Sequence, residues 1–329
     1  LYGHGDGGGG PTQTMIDRGR LASDLENVPR VSFGTVAGFF ETSQKEYGAT
    51  APRWVGEMYF EKHRGTYSTQ VGTKQGNRSS ERLLHELELW SALARVRPPA
   101  LDELWQHVLT QQFHDIIPGS SIAWVHDDAE AIHAEVASSI EALLVRVIPV
   151  ASGETHILNP APVSLRAVVD VVASPMWADA EPFGAALPSA TLPTDVVPVT
   201  VSTSDDSITI ANGVITVTFN AAGAITNFSN GHRDLIPKTT QAMFVLRQDT
   251  PAEYDAWDID ATDANAPSTP LLATAPPVIV ETTPLRTTIE CGFATDASRF
   301  TVRFALRAGE PQLDVSVDAD WHEQERRLQ

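Results

Sequence analysis

The sequence predicts a multidomain α+β protein. It divides into the tail end of an α/β domain over residues 1–76, a three-helix middle domain over 77–150 and a β-sandwich region over 151–329. Three observations carry this reading. A strand, helix, strand succession occupies the first part; three apolar stripes at helical spacing fill the second; short alternating or β-branched runs broken by prolines fill the third. A chain of 329 residues is too long for one typical hydrophobic core, which agrees with several domains.

In the first part, Val31-Ser32-Phe33-Gly34-Thr35 reads as a short strand. Thr35 to Glu46 follows as a helix, with Ala37, Phe40 and Gln44 at helical spacing. Trp54 to Glu61 alternates, so a strand there places Glu57, Tyr59, Glu61 and His63 on one face and Met58 and Phe60 on the other. In the second part, Leu83, Leu87, Trp90 and Ala94 form an apolar stripe behind a Ser79 or Ser80 cap. Pro98-Pro99 breaks the chain; Leu101, Leu104, Val108 and Leu109 restart the period until Pro118-Gly119. Ala129, Ile132, Val136, Ile140, Leu143 and Val147 make the third stripe. Three such helices with short joints form a bundle. In the third part, prolines from Pro160 to Pro198 forbid long helices. Ser207-Ile208-Thr209-Ile210 and Val214 to Phe219 flank Ala211-Asn212-Gly213, a hairpin signal. Arg286 to Cys291, Phe300 to Leu306 and Gln312 to Val317 read as further strands. The acidic, proline-containing stretch Asp258 to Pro270 reads as an exposed loop.

Charge narrows the partners. The chain has 23 Lys and Arg against 42 Asp and Glu, a net charge of −19. Such a chain repels phosphate backbones and anionic lipid, which argues against nucleic acid and membrane surfaces and leaves neutral ligands such as sugars open. No apolar run approaches the length of a membrane span. The single Cys291 excludes an internal disulfide framework or a cysteine zinc cluster within one chain. Its flanks predict a strand, so it reads as a buried small hydrophobe. A lone cysteine is compatible with a cytoplasmic location, and nothing in the sequence opposes a homo-oligomer.

Three segments could carry chemistry. The first is Tyr2-Gly3-His4-Gly5-Asp6-Gly7-Gly8-Gly9-Gly10-Pro11-Thr12. Bare backbone allows a ligand to come close, and Asp6 places a carboxylate there. No Gly-Lys-Ser/Thr follows and no strand precedes, so it is neither a P-loop nor a dinucleotide fingerprint. By composition it reads equally as a flexible linker; against that stands Asp6 with His4 two residues earlier. The chain has no initiator Met and no lead-in strand, so we expect it to be part of something longer. The second segment, Glu57 to Gln70, ends a predicted strand at Arg64-Gly65, followed by the hydroxyls of Thr66, Tyr67, Ser68 and Thr69. Ligands bind beyond strand C-termini in α/β sheets, although a solvated edge with a capping turn reads as well. The third is Gln111 to Ser121, where His114 sits in the expected last turn of a helix, beside Asp115 and on the side of His107 and Gln111. A lone histidine is more often a satisfied structural group than a ligand. No His-x-x-x-His or His-x-Asp stands beside it to make a zinc site by spacing.

Together these segments resemble the α-mannosidases of glycoside hydrolase family 38, in its bacterial and cytosolic branch. The glycine-rich run 2–12 looks like that branch's glycine motif. Residues 57–70 look like its Glu-Leu-Tyr-Leu-Glu-x-His-Arg-Gly-Thr-Tyr-Thr-x-Gln segment, and Phe113 to Ser121 like its His-Asp-x-Ile-x-Gly-Ser block. Tyr254-Asp255-Ala256-Trp257-Asp258-Ile259-Asp260 and Asp320-Trp321-His322-Glu323 are similar to signatures of its C-terminal β region. The resemblance implies the end of a catalytic α/β domain, the helical middle domain and part of a mutarotase-like β-sandwich. It implies a retaining hydrolase acting on terminal α-mannosides of mannose-containing oligosaccharides, in which one Asp attacks the anomeric carbon and another carboxyl group protonates the leaving oxygen. It also implies one divalent cation, usually zinc. By resemblance, His114 matches the late metal-binding histidine, Asp6 is the candidate acid/base, and Arg64, Tyr67 and Asp115 are candidate sugar or second-shell contacts.

The family's other metal ligands, a His-x-Asp pair and a further Asp, and its nucleophilic Asp would precede Leu1. A catalytic zinc needs about three protein ligands, so the expectation is a fragment that is catalytically incompetent alone. The resemblance further requires Asp6 and His114 to border one cavity. The competing readings are a non-catalytic carbohydrate-binding or scaffold protein of the same fold, and another sugar-active hydrolase with a helical middle domain and a mutarotase-like sandwich.

Overall fold

A computed structural model of the chain describes residues 3–5, 9–58, 62–148, 154–237, 242–260, 262–263 and 266–329. It separates into two compact units, Leu1–Met58 and Tyr59–Gln329.

The first unit holds two helices, α1 (Gln13–Leu21) and α2 (Val36–Tyr47). Thr12 and Thr35 cap them: their hydroxyls accept from Met15 N and Gly38 N, backbone donors that have no partner within the helix. The expected helix after Thr35 is therefore present. The strands expected at 31–35 and within 54–58 are not; both segments are irregular. A strand exists only by pairing its backbone with another, and the described residues of this unit form none. Its large apolar side chains stay uncovered as well: Leu21, Phe39, Phe40 and Val55 are each more than 60% exposed.

The second unit begins with the helical bundle. Helix α3 (Val71–Ala94) packs against α4 (Leu101–Gln111) and α5 (Ala123–Val147). The three predicted stripes meet as one core of Leu83, Leu84, Leu87, Leu104, Val108, Val136 and Ile140. Helix α3 starts at Val71, so the residue 76/77 division falls inside it. Between α3 and α5 runs a polar seam one heptad long. Thr73 Oγ1 lies 3.2 Å from His126 Nδ1, and Ser80 Oγ lies 2.9 Å from His133 Nδ1. Gly76 makes room for the His133 side chain: a Cβ there would lie 2.8 Å from its Cβ and from two of its ring atoms. The Nε2 atoms of both histidines are enclosed and, among the described residues, have no hydrogen-bond partner.

The sheets follow. Strands β1 (Ile157–Leu158) and β4 (Ala185–Ala186) pair, as do β2 (Leu165–Val171) and β3 (Ser174–Ala180). A four-stranded antiparallel sheet runs β5 (Thr200–Ser204), β6 (Ser207–Ala211), β7 (Thr216–Asn220) and β8 (Ile225–Ser229) in chain order. A three-stranded sheet places β9 (Phe244–Gln248) between β10 (Ser268–Leu271) and, from the far end of the chain, β15 (Arg326–Leu328). The second four-stranded sheet is β11 (Val278–Thr282), β12 (Arg286–Ala294), β13 (Arg299–Arg307) and β14 (Leu313–Asp320), also antiparallel. Alternate residues of the two four-stranded sheets form one core. Ile210, Val217 and Phe219 meet Ile289, Phe293, Val302 and Phe304, with the Phe219 and Phe304 rings 5.0 Å apart. This is the expected β-sandwich. Cys291 is buried in it, and burial pushes its thiol up to about 11.

The predicted hairpin joins β6 and β7, and its turn does more than reverse the chain. Gly213 adopts φ +81°, and Asn212 is fully buried. The Asn212 amide donates to Arg307 O and Glu310 O, while its oxygen accepts from Val214 N and Ile215 N. One side chain thus closes its own turn and ties it to the opposite sheet. Among the described residues no helix is long and apolar enough to cross a membrane.

Two outcomes follow from these contacts. Asn212→Ala leaves four buried or partly buried backbone groups short of a partner and is expected to lower unfolding free energy by about 1–3 kcal/mol in urea titration. Burial lowers the His133 pKa from 6.5. The unfolded chain therefore takes up a proton that the fold resists, and stability present above pH 6.5 is lost as pH falls toward the folded-state value. The melting temperature is expected to drop between pH 7 and pH 5, and the drop to shrink in His133→Gln.

Candidate functional site

Three of the quoted segments converge in the second unit: residues 62–70, 112–121 and 254–260. The first docks on the third through its backbone. Gly65 N donates to Trp257 O at 2.9 Å. A Cβ on Gly65 would lie 3.1 Å from the Trp257 carbonyl carbon, so glycine permits this approach. Thr69 Oγ1 donates to Gly65 O at 2.7 Å and reaches Ala256 O at 3.2 Å. The His63 ring meets the edge of Trp257, with centroids 5.4 Å apart. Arg64 closes the junction: its Nη1 donates to Ile259 O at 3.0 Å and lies 3.4 Å from Asp258 Oδ1. Both side chains are mostly covered, at 24% and 20% exposure.

The second segment is a series of turns. Ile116 N and Ile117 N both donate to Phe113 O, and Gly119 N donates to Ile116 O. Gly119 has φ +88°, and a Cβ there would lie 2.7 Å from Thr69 O. Lys74, in the first turns of α3, fastens this loop to the first segment. Its Nζ donates to Thr69 O at 2.6 Å and to Ile117 O at 2.8 Å. Burial holds the Lys74 pKa below its ordinary value. At the loop's start, Gln112 Nε2 donates to Asn77 Oδ1 and Glu81 Oε1 on α3.

The loop presents His114 and Asp115 outward. Helix α4 ends at Gln111, so His114 lies beyond it and not in its last turn. The expected polar stripe of His107, Gln111 and His114 is therefore not formed: Gln111 is buried, and His107 is exposed opposite Glu103. The turns also let adjacent side chains meet, which a helix does not. His114 Nε2 lies 3.3 Å from Asp115 Oδ2, and Ser120 Oγ donates to Asp115 Oδ1 at 3.2 Å. The Phe113 and His114 ring centroids are 4.3 Å apart. The His114 side chain is 74% exposed, and Phe113 and Tyr67 also face outward. His114 and Asp115 offer two donors. Among the described residues no three His, Cys, Asp or Glu side chains are grouped to hold a metal ion, so these residues do not make a metal site by themselves.

The other expectations fall as follows. Asp6 lies outside the described residues, and with it the cavity expected between Asp6 and His114. Arg64 is engaged with Asp258 and Ile259 O. The stretch from Asp258 is only in part the exposed loop its composition suggested: residues 267–270 are exposed, but much of the rest is held. Asp258 faces Arg64, Asp263 accepts from Arg327 at 2.9 Å, Arg247 donates to Ala266 O at 2.7 Å, and 268–271 is strand β10. Arginines distant in sequence neutralise it. Lys74 and Asp258 are the junction residues that sequence reasoning passed over. Asp258 stood inside a quoted motif; Lys74 carried no signal, since Ile117 lies 43 positions away.

Comparison with known proteins places these segments in a wider set. Residues 61–148 match the family described as Alpha mannosidase middle domain, and residues 210–329 match the Glycosyl hydrolases family 38 C-terminal domain. Alpha-mannosidase 2C1 of Mus musculus is 31% identical over 100% of this chain and 34% of its own length. Alpha-mannosidase G of Dictyostelium discoideum is 45% identical over 41% of this chain and 13% of its own. Among solved structures, an alpha-mannosidase from Enterococcus faecalis V583 superposes with a TM-score of 0.60 over 97% of this chain and 50% of that one, at 12% identity. At that identity the likeness is one of fold. The chain spans about a third of the length of the 2C1 relatives it matches from end to end.

Lys74→Met removes the donor that Thr69 O and Ile117 O share. Hydrogen exchange is expected to accelerate in 65–70 and 113–119 while β12 and β13 stay protected, and stability to fall by about 1–3 kcal/mol. Mass-resolved exchange measures both regions in one experiment.

Proposed function

Because the chain belongs to glycoside hydrolase family 38, we propose that it supplies the middle and C-terminal parts of a retaining α-mannosidase acting on terminal α-mannosides of glycans. One observation carries the reading. Three of the motifs that resemble the family (His63 to Gln70, Phe113 to Ser121 and Tyr254 to Asp260) are scattered along the chain yet are fastened into one junction by Lys74, Arg64 and Gly65. A scaffold with no ligand has no need to hold an exposed His-Asp pair on a clamped loop.

In this reading the residues divide their work. His114 would be one ligand of a divalent metal, zinc by family likeness, whose remaining ligands are not among the described residues. Asp115, steadied by Ser120 and by His114, orients sugar hydroxyls, because an ionised carboxylate accepts from two donors at once. Phe113, exposed and 4.3 Å from the His114 ring by centroids, and the exposed Tyr67 supply aromatic surface for the apolar face of a pyranose. Arg64 acts at one remove: its charge is satisfied by Asp258 and Ile259 O, so it positions the 62–70 segment. Asp6 is the acid/base in this proposal, on sequence likeness alone. A cytoplasmic location accords with the lone buried thiol.

The test is hydrolysis of an aryl α-mannoside with zinc present. The 329-residue chain alone is expected to give no turnover above background. The product of the longest reading frame that encodes it is expected to be active, with kcat lowered at least about a hundredfold by His114→Ala. Full activity of His114→Ala, or turnover by the chain alone at the level of an intact family member, overturns this assignment of roles.

A further inference from the structure

The Asp320-Trp321-His322-Glu323 motif takes no part in the junction just described, yet it borders a hollow of its own. The hollow lies on the outer face of the β11–β14 sheet and measures 570 Å³, within the usual range for small-molecule sites. Strand alternation builds it. Cys291, Phe293, Phe300 and Val302 turn inward to the core, so Gly292, Ala294, Arg299 and Thr301 face the other way. Cross-strand pairing then aligns two rows: Gly292, Thr301, Asp318 and Ala294, Arg299, Asp320. The β12 end of both rows is almost bare. At Gly292 an added Cβ would come within 3.3 Å of Thr274 Oγ1, which itself donates to Gly292 O. The absent side chains form a floor, and charged groups stand over it.

Those charges do not cancel one another. Arg299 faces Asp320 in register, but Asp320 Oδ1 lies 2.7 Å from His322 Nε2 instead. Among the described residues, neither the Arg299 nor the Asp318 side chain has a hydrogen bond or ion pair. The hollow therefore presents a guanidinium with only donors beside carboxylates with only acceptors. An anion would meet Asp318 and Asp320. A cation would meet Arg299 and would lack a third ligand. An apolar ligand would leave all of these groups desolvated and unpaired. A neutral polyhydroxylated ligand satisfies them together, since each hydroxyl both donates and accepts.

We propose that this hollow is a second saccharide-binding site, which holds one neutral hexose unit of a glycan through Arg299, Thr301 and Asp318. It shares no lining residue with the His114 loop and stands whether or not that loop belongs to a hydrolase.

Titrating the isotope-labelled chain with methyl α-D-mannoside and with α-mannobiose tests it. Saturable, millimolar binding is expected, with shifts at the amides of Gly292, Thr301 and Asp318. Asp318→Ala, an exposed edge-strand change that leaves the core intact, is expected to weaken binding at least about tenfold. Gly292→Val, which fills the floor, is expected to abolish it. The proposal is overturned by no saturable binding of either sugar to the folded chain, by shifts confined to residues 62–74 and 113–121, or by undiminished affinity in Asp318→Ala. Shifts at this hollow from calcium or inorganic phosphate alone would overturn it too.

Discussion

Partly buried cations tie together stretches of this chain that are far apart in sequence, and the candidate site depends on those ties. Lys74 joins the loop carrying His114 to the segment before α3. Arg64 joins that segment to Asp258 and Ile259, nearly two hundred positions later. Arg327 of β15 pairs with Asp263 and lies near Asp249. Arg286 and Arg307 hold Asp170 of β2 against the second four-stranded sheet. A chain with 42 acidic groups and 23 basic ones cannot gather carboxylates at a junction without such neutralisation, because like charges in a partly dry setting repel strongly. Asp170 shows the balance: burial alone would raise its pKa, but the two guanidinium groups outweigh burial and hold it below the usual carboxylate range. Where the balance fails the shift reverses. Burial and the neighbouring Asp263, Asp260 and Asp255 raise the pKa of Asp249 despite Arg327.

This arrangement gives the His114 loop a definite place without a regular element beneath it. Turns have no ladder of hydrogen bonds to fix them, so their position comes from the groups that grip them. Here the grip is a lysine ammonium on one carbonyl, a glutamine amide reaching α3, and a glycine with positive φ pressed against Thr69. The chemistry at the tip stays open: an exposed imidazole beside a carboxylate, with aromatic rings facing outward. A rigid support under exposed polar groups is what ligand binding on a loop requires, because ordering the loop at the moment of binding would subtract from affinity.

Much of the fold was legible because it rests on periodicity. The three stripes of the bundle became one core, and the Asn212-Gly213 signal became a hairpin turn with the expected positive φ. The alternating runs from Arg286 to Val317 became adjacent strands. What failed were elements that need a partner outside their own window. Residues 31–35 and 54–58 have strand-like composition, but among the described residues no strand pairs with them. The last helical turn assigned to His114 unwound into tight turns after Gln111, several residues ahead of the Pro118-Gly119 break that the sequence marks.

The sequence by itself determined the order of the parts, the faces of the helices and strands, the burial of Cys291, and through five short motifs the family. Those features are local, set by the chain's own alternation and by residues with restricted backbones. Only the tertiary structure decided that Asp258 is pinned and not free, that Lys74 holds the His114 loop, that Arg64 is a strut, and that Gly292 opens a hollow. Each depends on a pairing across tens or hundreds of positions. Charge and shape are satisfied in space, so no window of sequence contains both halves of such a contact.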